Sequence, residues 1–360
     1  MLVIFTFSFS LNALAVPPSW ANADKTNSDD NLAGKEANRG VTAYNTITRE
    51  DFIYFKEIGV RQVRIMLMDG DLLIASHDFD PANPQTVILP ENRIKLLNLV
   101  SLAKEYNIRL ILDVHEVPGL TLWFTDGEEG PKIKDLSIWE QDEAGAVKRG
   151  ALVSIWQQLS QLLSDEPTDL IAYELLNSPE PKTYEAPKED RHWLWEDLQD
   201  ELIKTIRSND RKRLIIGAPA YAWRLSSLQE WQPSRTVLKD KNFVATMHMA
   251  RPFSYVYQPE AWYGNEAYKV YPGEFEEEHY DPGIWNRERI KTLFDINIQS
   301  FYDNFGIKTY VSEFSVIREA PGASEYYSDL ISLFNNDFQD AIWGWTAHVY
   351  GEEDYALANE

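Results

Sequence analysis

Short apolar segments alternate with longer amphipathic segments along most of the chain. The short segments are rich in aliphatic and β-branched residues and end at polar or turn-forming residues, a pattern typical of buried strands. The segments predicted as strands are Gly40–Tyr44, Gln62–Leu67, Arg109–Val114, Leu170–Leu176, Arg213–Gly217, Phe243–His248, Lys308–Glu313 and Ala341–Trp345.

The longer segments between these strands have the spacing of amphipathic helices. One face of residues 91–107 carries Leu96, Val100, Ala103 and Tyr106. Residues 48–59 begin at Thr48, a residue type that caps helices, and stop at Gly59. Strands that alternate with helices indicate parallel β-α units. Eight such units, with strands apolar through their middles, predict an α/β protein with a closed (β/α)8 TIM barrel.

Three regions are expected along the chain. Residues 1–23 combine an apolar run with Ala21-Asn22-Ala23, which predicts a signal peptide cleaved after Ala23 and a secreted or periplasmic protein; a structural strand is the alternative. Residues 24–38 are polar and are predicted to form a short leader outside the core. Residues 39–360 then form a single barrel domain, in which the final helix is short or absent.

Composition narrows the set of partners. The net charge of −23 disfavours nucleic acids, anionic membranes and polyanionic glycans, whereas neutral polysaccharides remain open. The absence of cysteine excludes disulfides and thiol catalysis. The twelve tryptophans fit either a large core or platforms for sugar rings. We expect a monomer without a cofactor, and no metal site, because the histidines lack the spacing of metal ligands.

Polar and aromatic side chains lie at or just after the carboxyl ends of several predicted strands, and the second predicted strand carries Arg64. In a TIM barrel these ends meet at one rim, where the chemistry of the fold is located. Each residue alone has a structural explanation, such as a buried ion pair or a core histidine, but together they predict a site. They are Arg64, His115, Asn177, Ser178, His248, Glu313, Trp345 and His348.

Several short motifs lie on or next to these predicted strands. They are RGV at 39–41, VRI at 63–65, DVHEVPG at 113–119, YELLN at 173–177, HMARPF at 248–253, TYVSEFSVIREAPGASEYYSDLISLF at 309–334 and GWTAHVYGEEDYALANE at 344–360. In this order the chain resembles glycoside hydrolase family 5, the cellulase-like retaining β-glycosidases, from about residue 39 to 358. The resemblance implies a (β/α)8 barrel that cleaves O-glycosidic bonds.

The resemblance also implies a role for each rim residue. Glu313 would be the nucleophile that forms a glycosyl-enzyme, and Arg64 would orient that carboxylate and keep it ionised. Asn177 would hydrogen-bond the sugar 2-hydroxyl. The remaining members would line the same subsite, with Trp345 stacking on the sugar; they are His115, His248, Trp345 and His348.

The chain departs from the family pattern at the end of the fourth predicted strand. The family reads Asn-Glu-Pro there, and this chain reads Asn177-Ser178-Pro179. Retaining hydrolysis uses two carboxyl groups, and a serine hydroxyl can neither protonate a leaving oxygen nor activate water. By default Glu180 is expected to be an exposed loop residue, and the alternative is that it replaces the missing acid/base. Further departures are Ala250, Tyr257, Glu319, Ala347 and Gly351.

Two functions therefore remain open at the level of sequence. The first is an exported family 5 hydrolase acting on a neutral β-linked polysaccharide with impaired catalysis. The second is a carbohydrate-binding protein without catalysis. Long loop-rich segments at 116–136 and 251–285 are expected to form the cleft walls. Their aromatic residues Trp123, Trp262 and Tyr263 could stack on sugars or pack as satellite core.

Overall fold

The structure is a computed structural model of the chain. It describes residues 38–68, 80, 82–83, 88–120, 135–182, 191–258, 269–275, 282–318 and 320–350. Several sequence predictions fall outside the described residues: the signal peptide, the leader before Asn38, Trp123, Trp262, Tyr263, Glu319, Gly351 and the final helix.

Eight parallel strands form a closed barrel, as predicted from the sequence. The strands of the described chain are β1 (Arg39–Tyr44), β2 (Gln62–Leu67), β3 (Arg109–Val114), β4 (Ile171–Glu174), β5 (Ile215–Gly217), β6 (Phe243–Met249), β7 (Gly273–Phe275), β8 (Gly283–Trp285), β9 (Thr309–Phe314) and β10 (Ile342–Tyr350). The barrel order is β1-β10-β9-β6-β5-β4-β3-β2. Each of the eight predicted strands overlaps one barrel strand, and the TIM-barrel prediction is confirmed.

Helices cover the outside of the barrel between successive strands. They are α1 (Arg49–Glu57), α2 (Pro90–Tyr106), α3 (Glu143–Leu162), α4 (His192–Asn209), α5 (Ser227–Glu230), α6 (Arg235–Lys239), α7 (Phe253–Val256), α8 (Arg287–Phe294), α9 (Ser300–Phe305) and α10 (Ala323–Ser332). Helix α1 begins as predicted, because Thr48 and Asp51 form a capping box at its N-terminus. None of the helices in the described chain is long and apolar enough to cross a membrane.

The barrel interior changes from apolar to charged along its axis. Ile111, Ala172, Ile216, Val244 and Tyr310 form a buried cluster inside the barrel. Successive side chains of a strand alternate between its two faces, so residues two positions apart point the same way. Asp113 therefore lies one layer above Ile111, and Glu174 one layer above Ala172. This alternation places charged groups at the carboxyl end of the barrel.

Tryptophans of the helical layer fix the backbone that leads into this end. The indole Nε1 of Trp156 in α3 donates to the carbonyl of Leu175, at 2.8 Å, just after β4. Nε1 of Trp195 in α4 donates to the carbonyl of Ala218, at 2.8 Å, just after β5. Both side chains are fully buried. For these tryptophans the core interpretation is correct, and they position the loops that carry the site.

The segment at 251–285 has local structure of its own within the described residues. It contains the short helix α7 and the antiparallel hairpin of β7 and β8, in which Gly273 pairs with Trp285. Trp285 is fully buried, and the guanidinium of Arg289 lies 5.1 Å from its ring centre. The described residues of this segment therefore include regular structure and a buried side chain.

Candidate active site

Arg64 is the centre of a buried ion cluster at the carboxyl end of the barrel. Its Nε donates to Glu174 Oε2 at 2.7 Å, and its Nη1 donates to Glu313 Oε1 at 2.7 Å. Its Nη2 lies 2.9 Å from Asp113 Oδ2 and donates to Asn177 Oδ1 at 2.9 Å. The Arg64 side chain is completely buried. One guanidinium therefore binds side chains from β3, β4 and β9.

The charges of this cluster do not balance. Burial lowers the pKa of Arg64, but the three carboxylates raise it further, so the guanidinium stays charged. Burial raises the pKa of Glu174 to about 7; Arg64 opposes this rise, and Asp113 adds to it. One cation faces three carboxyl groups, and Glu174 is the one whose raised pKa lets it bind a proton as the pH falls below about 7.

Glu313 is the carboxylate that the cluster presents to solvent. Its side chain is 18% exposed, whereas those of Asp113 and Glu174 are buried. Burial raises the pKa of Glu313, but the positive charges of the neighbouring histidines and Arg64 outweigh burial and hold it well below its usual value. His248 is neutral at neutral pH, whereas Arg64 stays charged and in contact with the Glu313 carboxylate. Glu313 is therefore an ionised, oriented and accessible carboxylate.

His115 extends the cluster toward Asn177. Its Nδ1 lies 2.6 Å from Asp113 Oδ2, and its Nε2 lies 3.2 Å from Asn177 Nδ2. In the neutral tautomer the Asn177 amide donates to Nε2 while Nδ1–H donates to Asp113. Burial lowers the pKa of His115, but Asp113 raises it more, so the net change is upward. Asn177 is thereby fixed from both sides, by His115 and by Arg64.

Ser178 follows Asn177 at the point where the chain leaves β4. Its backbone φ is 38°, in the left-handed region that few residues other than glycine adopt. The loop is fastened from two sides, because Asn177 N–H donates to Val114 O at 2.9 Å and Tyr221 N–H donates to Pro179 O at 2.7 Å. The Ser178 hydroxyl is buried and lies 3.3 Å from Nδ1 and 3.4 Å from Nε2 of His248.

Two histidines lie beside the Glu313 carboxylate. His248 Nδ1 is 3.4 Å from Glu313 Oε2, and His348 Nδ1 is 3.9 Å from the same oxygen. Burial lowers the pKa of His248 to about 4, although Glu313 raises it. His248 therefore contacts both the Glu313 carboxylate and the Ser178 hydroxyl, in its neutral form at neutral pH.

Trp345 does not belong to this site. Its neighbour Thr346 points into the barrel, where its hydroxyl donates to Ser312 O at 2.7 Å, so Trp345 points outward. The Trp345 ring is 3% exposed and lies 5.6 Å from the ring of Phe314, and its Nε1 donates to Asn335 at 3.1 Å. The prediction that Trp345 stacks on a sugar is wrong, because its side chain packs against Phe314 of β9 and against Phe334 and Asn335, which follow α10.

Glu180 is not the exposed loop residue expected by default. It is 5% exposed, and its carboxylate lies 3.1 Å from Nζ of Lys182. The default interpretation is therefore wrong. Pro179, whose carbonyl accepts from Tyr221, separates Glu180 from the Ser178 position.

Sequence reasoning missed the roles of Asp113 and Glu174. Both lie inside the motifs DVHEVPG and YELLN, but neither of them is among the site residues predicted from the sequence. A usable signal exists: each is an acidic residue inside an otherwise apolar predicted strand, and buried acids require partners. Within the described residues, no group of three or more His, Cys, Asp or Glu side chains is arranged to hold a metal ion.

A closed parallel barrel with an ionised carboxylate at its carboxyl end is an arrangement found in barrel hydrolases, and comparison with known families identifies which one. The family model described as cellulase (glycosyl hydrolase family 5) matches residues 21–351, and the chain belongs to this family of glycosidases.

Individual relatives agree with this assignment. The chain is 27% identical over 280 residues to Endoglucanase C of Acetivibrio thermocellus, covering 71% of this chain and 72% of that protein. It has the same identity and coverage with Endoglucanase C307 of Clostridium sp. strain F1. The endoglucanase Cel5A of Thermotoga maritima shares the fold with a TM-score of 0.65, at 18% identity over 94% of each chain. The cellulose synthase subunit CcsZ of Clostridioides difficile shares the fold with a TM-score of 0.64. It is 19% identical, and the match covers 88% of this chain and 93% of that chain.

Proposed function

We propose that the chain is a family 5 glycoside hydrolase that acts on a neutral β-linked polysaccharide with impaired catalysis. Glu313 is the nucleophile, and Ser178 occupies the position of the acid/base glutamate. The observation that supports this most directly is the 2.7 Å contact that holds the Glu313 carboxylate on Arg64, while the side chain after Asn177 is a hydroxyl. One of the two carboxyl groups of a retaining hydrolase is present and ionised.

This arrangement divides the reaction into an intact part and a deficient part. Attack of Glu313 on the anomeric carbon requires that its carboxylate is ionised, and the contact with Arg64 favours the ionised form. Departure of a sugar hydroxyl also requires a proton donor, and its loss lowers the rate by about 10²–10⁴-fold. A leaving group that is stable as an anion needs no proton. The protein should therefore form its glycosyl-enzyme from activated aryl glycosides much faster than from natural glycans.

The class of substrate follows from charge and from the relatives. A net charge of −23 repels anionic polymers, so a neutral glycan is favoured. The relatives are named as endoglucanases, which supports a β-linked glucan. Asn177, held by Arg64 and His115, is the group that binds the sugar 2-hydroxyl. Export through the predicted signal at residues 1–23 would bring the protein to such a polymer.

A carbohydrate-binding protein without catalysis is the second candidate, and Ser178 is the observation that favours it. The two candidates differ in covalent chemistry at Glu313. The purified protein is incubated with dinitrophenyl β-cellobioside and with cello-oligosaccharides, with and without azide, and dinitrophenol release and products are measured. We expect dinitrophenol release from the aryl glycoside, β-cellobiosyl azide in the presence of azide, and oligosaccharide cleavage slower by orders of magnitude.

The matched control is Glu313→Gln, which removes the nucleophile while keeping the size of the side chain. We expect it to abolish dinitrophenol release and azide product. Oligosaccharide binding with no covalent chemistry in the unmodified protein would support the binding-protein candidate and contradict the proposal.

A further inference from the structure

We infer that Ser178 and His248 form a proton relay that activates water for hydrolysis of the glycosyl-enzyme. The inference rests on the proposed function and adds a base for its second step. The relay consists of the Ser178 hydroxyl, which contacts the attacking water, and the imidazole of His248, which receives the proton through that hydroxyl. It gives the chain a route to complete turnover without a second carboxylate.

The geometry places both groups where this step occurs. The Ser178 hydroxyl lies at the end of β4 and within 3.4 Å of His248 Nε2. His248 Nδ1 lies 3.4 Å from Glu313 Oε2 and 3.3 Å from the same Ser178 hydroxyl. When Nδ1–H donates to Glu313, the lone pair of Nε2 is left to accept from Ser178. His248 thus connects the carboxylate that carries the sugar with the hydroxyl beside it.

The basicity of His248 suits the task. Its charged neighbours are Glu313 on β9, Arg64 on β2, His115 after β3 and His348 on β10, and of these only Glu313 raises its pKa. Burial, together with the cationic neighbours, sets that pKa to about 4. An ordinary glutamate has a pKa of about 4.3. As a base, the neutral imidazole therefore matches the carboxylate that performs this step in retaining glycosidases.

The step can be written with its bonds and protons balanced. The water oxygen forms a bond to the anomeric carbon while the bond from that carbon to Glu313 breaks, and the electron pair returns to the Glu313 carboxylate. A water proton moves to the Ser178 oxygen as the Ser178 proton moves to His248 Nε2. The imidazolium then releases its proton to solvent, and the free sugar leaves.

The same relay cannot assist the first step at neutral pH. With a pKa of about 4, only about one His248 in a thousand is protonated at pH 7, so it has almost no proton to donate. The site therefore assists removal of the sugar from Glu313 but not departure of the leaving group. This asymmetry agrees with selective reaction of activated glycosides.

The second step is measured alone by loading Glu313 with dinitrophenyl 2-deoxy-2-fluoro-β-cellobioside and removing the excess. Peptide mass mapping confirms the adduct on Glu313, and the return of activity on dinitrophenyl β-cellobioside is followed from pH 3 to 8. We expect the reactivation rate to rise with pH at the acid end of this range and then level off, as His248 becomes neutral. The rise should lie below about pH 4, because the esterified Glu313 no longer raises the pKa of His248. Ser178→Ala and His248→Gln should lower the plateau about 10²-fold and remove the pH dependence.

Controls separate this inference from the proposed function and from misfolding. Ser164→Ala and His192→Gln alter exposed residues outside the site and should reactivate at the rate of the unmodified protein. Azide should restore rapid reactivation of Ser178→Ala, which shows an intact adduct and fold. Formation of the Glu313 adduct with reactivation unchanged by Ser178→Ala and His248→Gln would overturn the relay alone. Failure to form the adduct would overturn the relay and the proposed function together.

Discussion

Nη1 of Arg64 lies 2.7 Å from Oε1 of Glu313, although the two residues are 249 positions apart in the chain. The contact joins β2 to β9, and in the barrel order β1 and β10 lie between these strands. The same guanidinium also binds Glu174 and Asp113. Because this contact holds the Glu313 carboxylate on the buried cluster, Arg64 links the stability of the barrel end to its chemistry.

Removal of Arg64 should therefore destabilise the fold. Arg64→Ala leaves buried carboxylates without their cation, which costs about 3–5 kcal/mol in the free energy of unfolding. Arg64→Lys keeps a positive charge but not the forked geometry, and should lose less stability than Arg64→Ala. Urea denaturation at pH 7 measures both. A loss below about 1 kcal/mol for Arg64→Ala, the range of exposed ion pairs, would contradict the buried cluster.

The cluster also predicts how stability depends on pH. The pKa of Glu174 is raised from 4.5 to about 7, so between these values the folded protein binds a proton that the unfolded chain lacks. Stability from this group is present below about pH 4.5 and is lost as pH rises through about 7. Glu174→Gln is a permanent analogue of the protonated form.

The measurement is the free energy of unfolding of both proteins in urea at pH 5 and pH 8. The stability of the unmodified protein relative to Glu174→Gln should fall between these pH values. Titration of groups outside the cluster cancels in this comparison, because they are common to both proteins and do not contact Glu174. A constant difference, or one of opposite sign, would show that Glu174 is fully ionised in the folded state.

Much of the fold could be predicted from hydrophobic periodicity. The strands on which the site is built were located within a few residues, because parallel barrel strands are apolar runs bounded by turns. Glu313 and Asn177 could also be predicted as candidate site residues, since chemistry in this fold gathers at strand ends. What periodicity could not give was the partner of each charge. Asp113 and Glu174 meet Arg64 only because three strands close side by side in the barrel.

Trp345 shows a second limit of the sequence. A tryptophan at the end of a barrel strand fits a sugar platform as well as it fits the core. Only the register of β10, in which Thr346 faces inward, decides between them. The burial of Glu180 could not be predicted either, because it depends on the path of the loop after Pro179.

The position of Trp345 leads to a prediction that separates packing from binding. Trp345→Ala should cost about 3–5 kcal/mol through the cavity left beside Phe314 and Phe334. Trp345→Phe should fold with a smaller loss and bind cello-oligosaccharides with the Kd of the unmodified protein. Urea denaturation and calorimetric titration provide the two readouts. A large loss of affinity in the well-folded Trp345→Phe variant would return Trp345 to the sugar site.

The central claim is that the site keeps the nucleophile Glu313 and lacks the acid/base carboxyl at position 178. Ser178→Glu supplies that carboxyl where burial raises the pKa of an acid, as a proton donor requires. Ser178→Gln is its control for size, and near-ultraviolet circular dichroism checks that both variants fold.

The most direct test is the rate of cello-oligosaccharide cleavage by the unmodified protein, Ser178→Glu and Ser178→Gln. We predict a gain of about 10²–10⁴-fold for Ser178→Glu and none for Ser178→Gln. If the unmodified protein already cleaves cello-oligosaccharides as fast as a folded Ser178→Glu variant, the claim that Ser178 limits catalysis is contradicted.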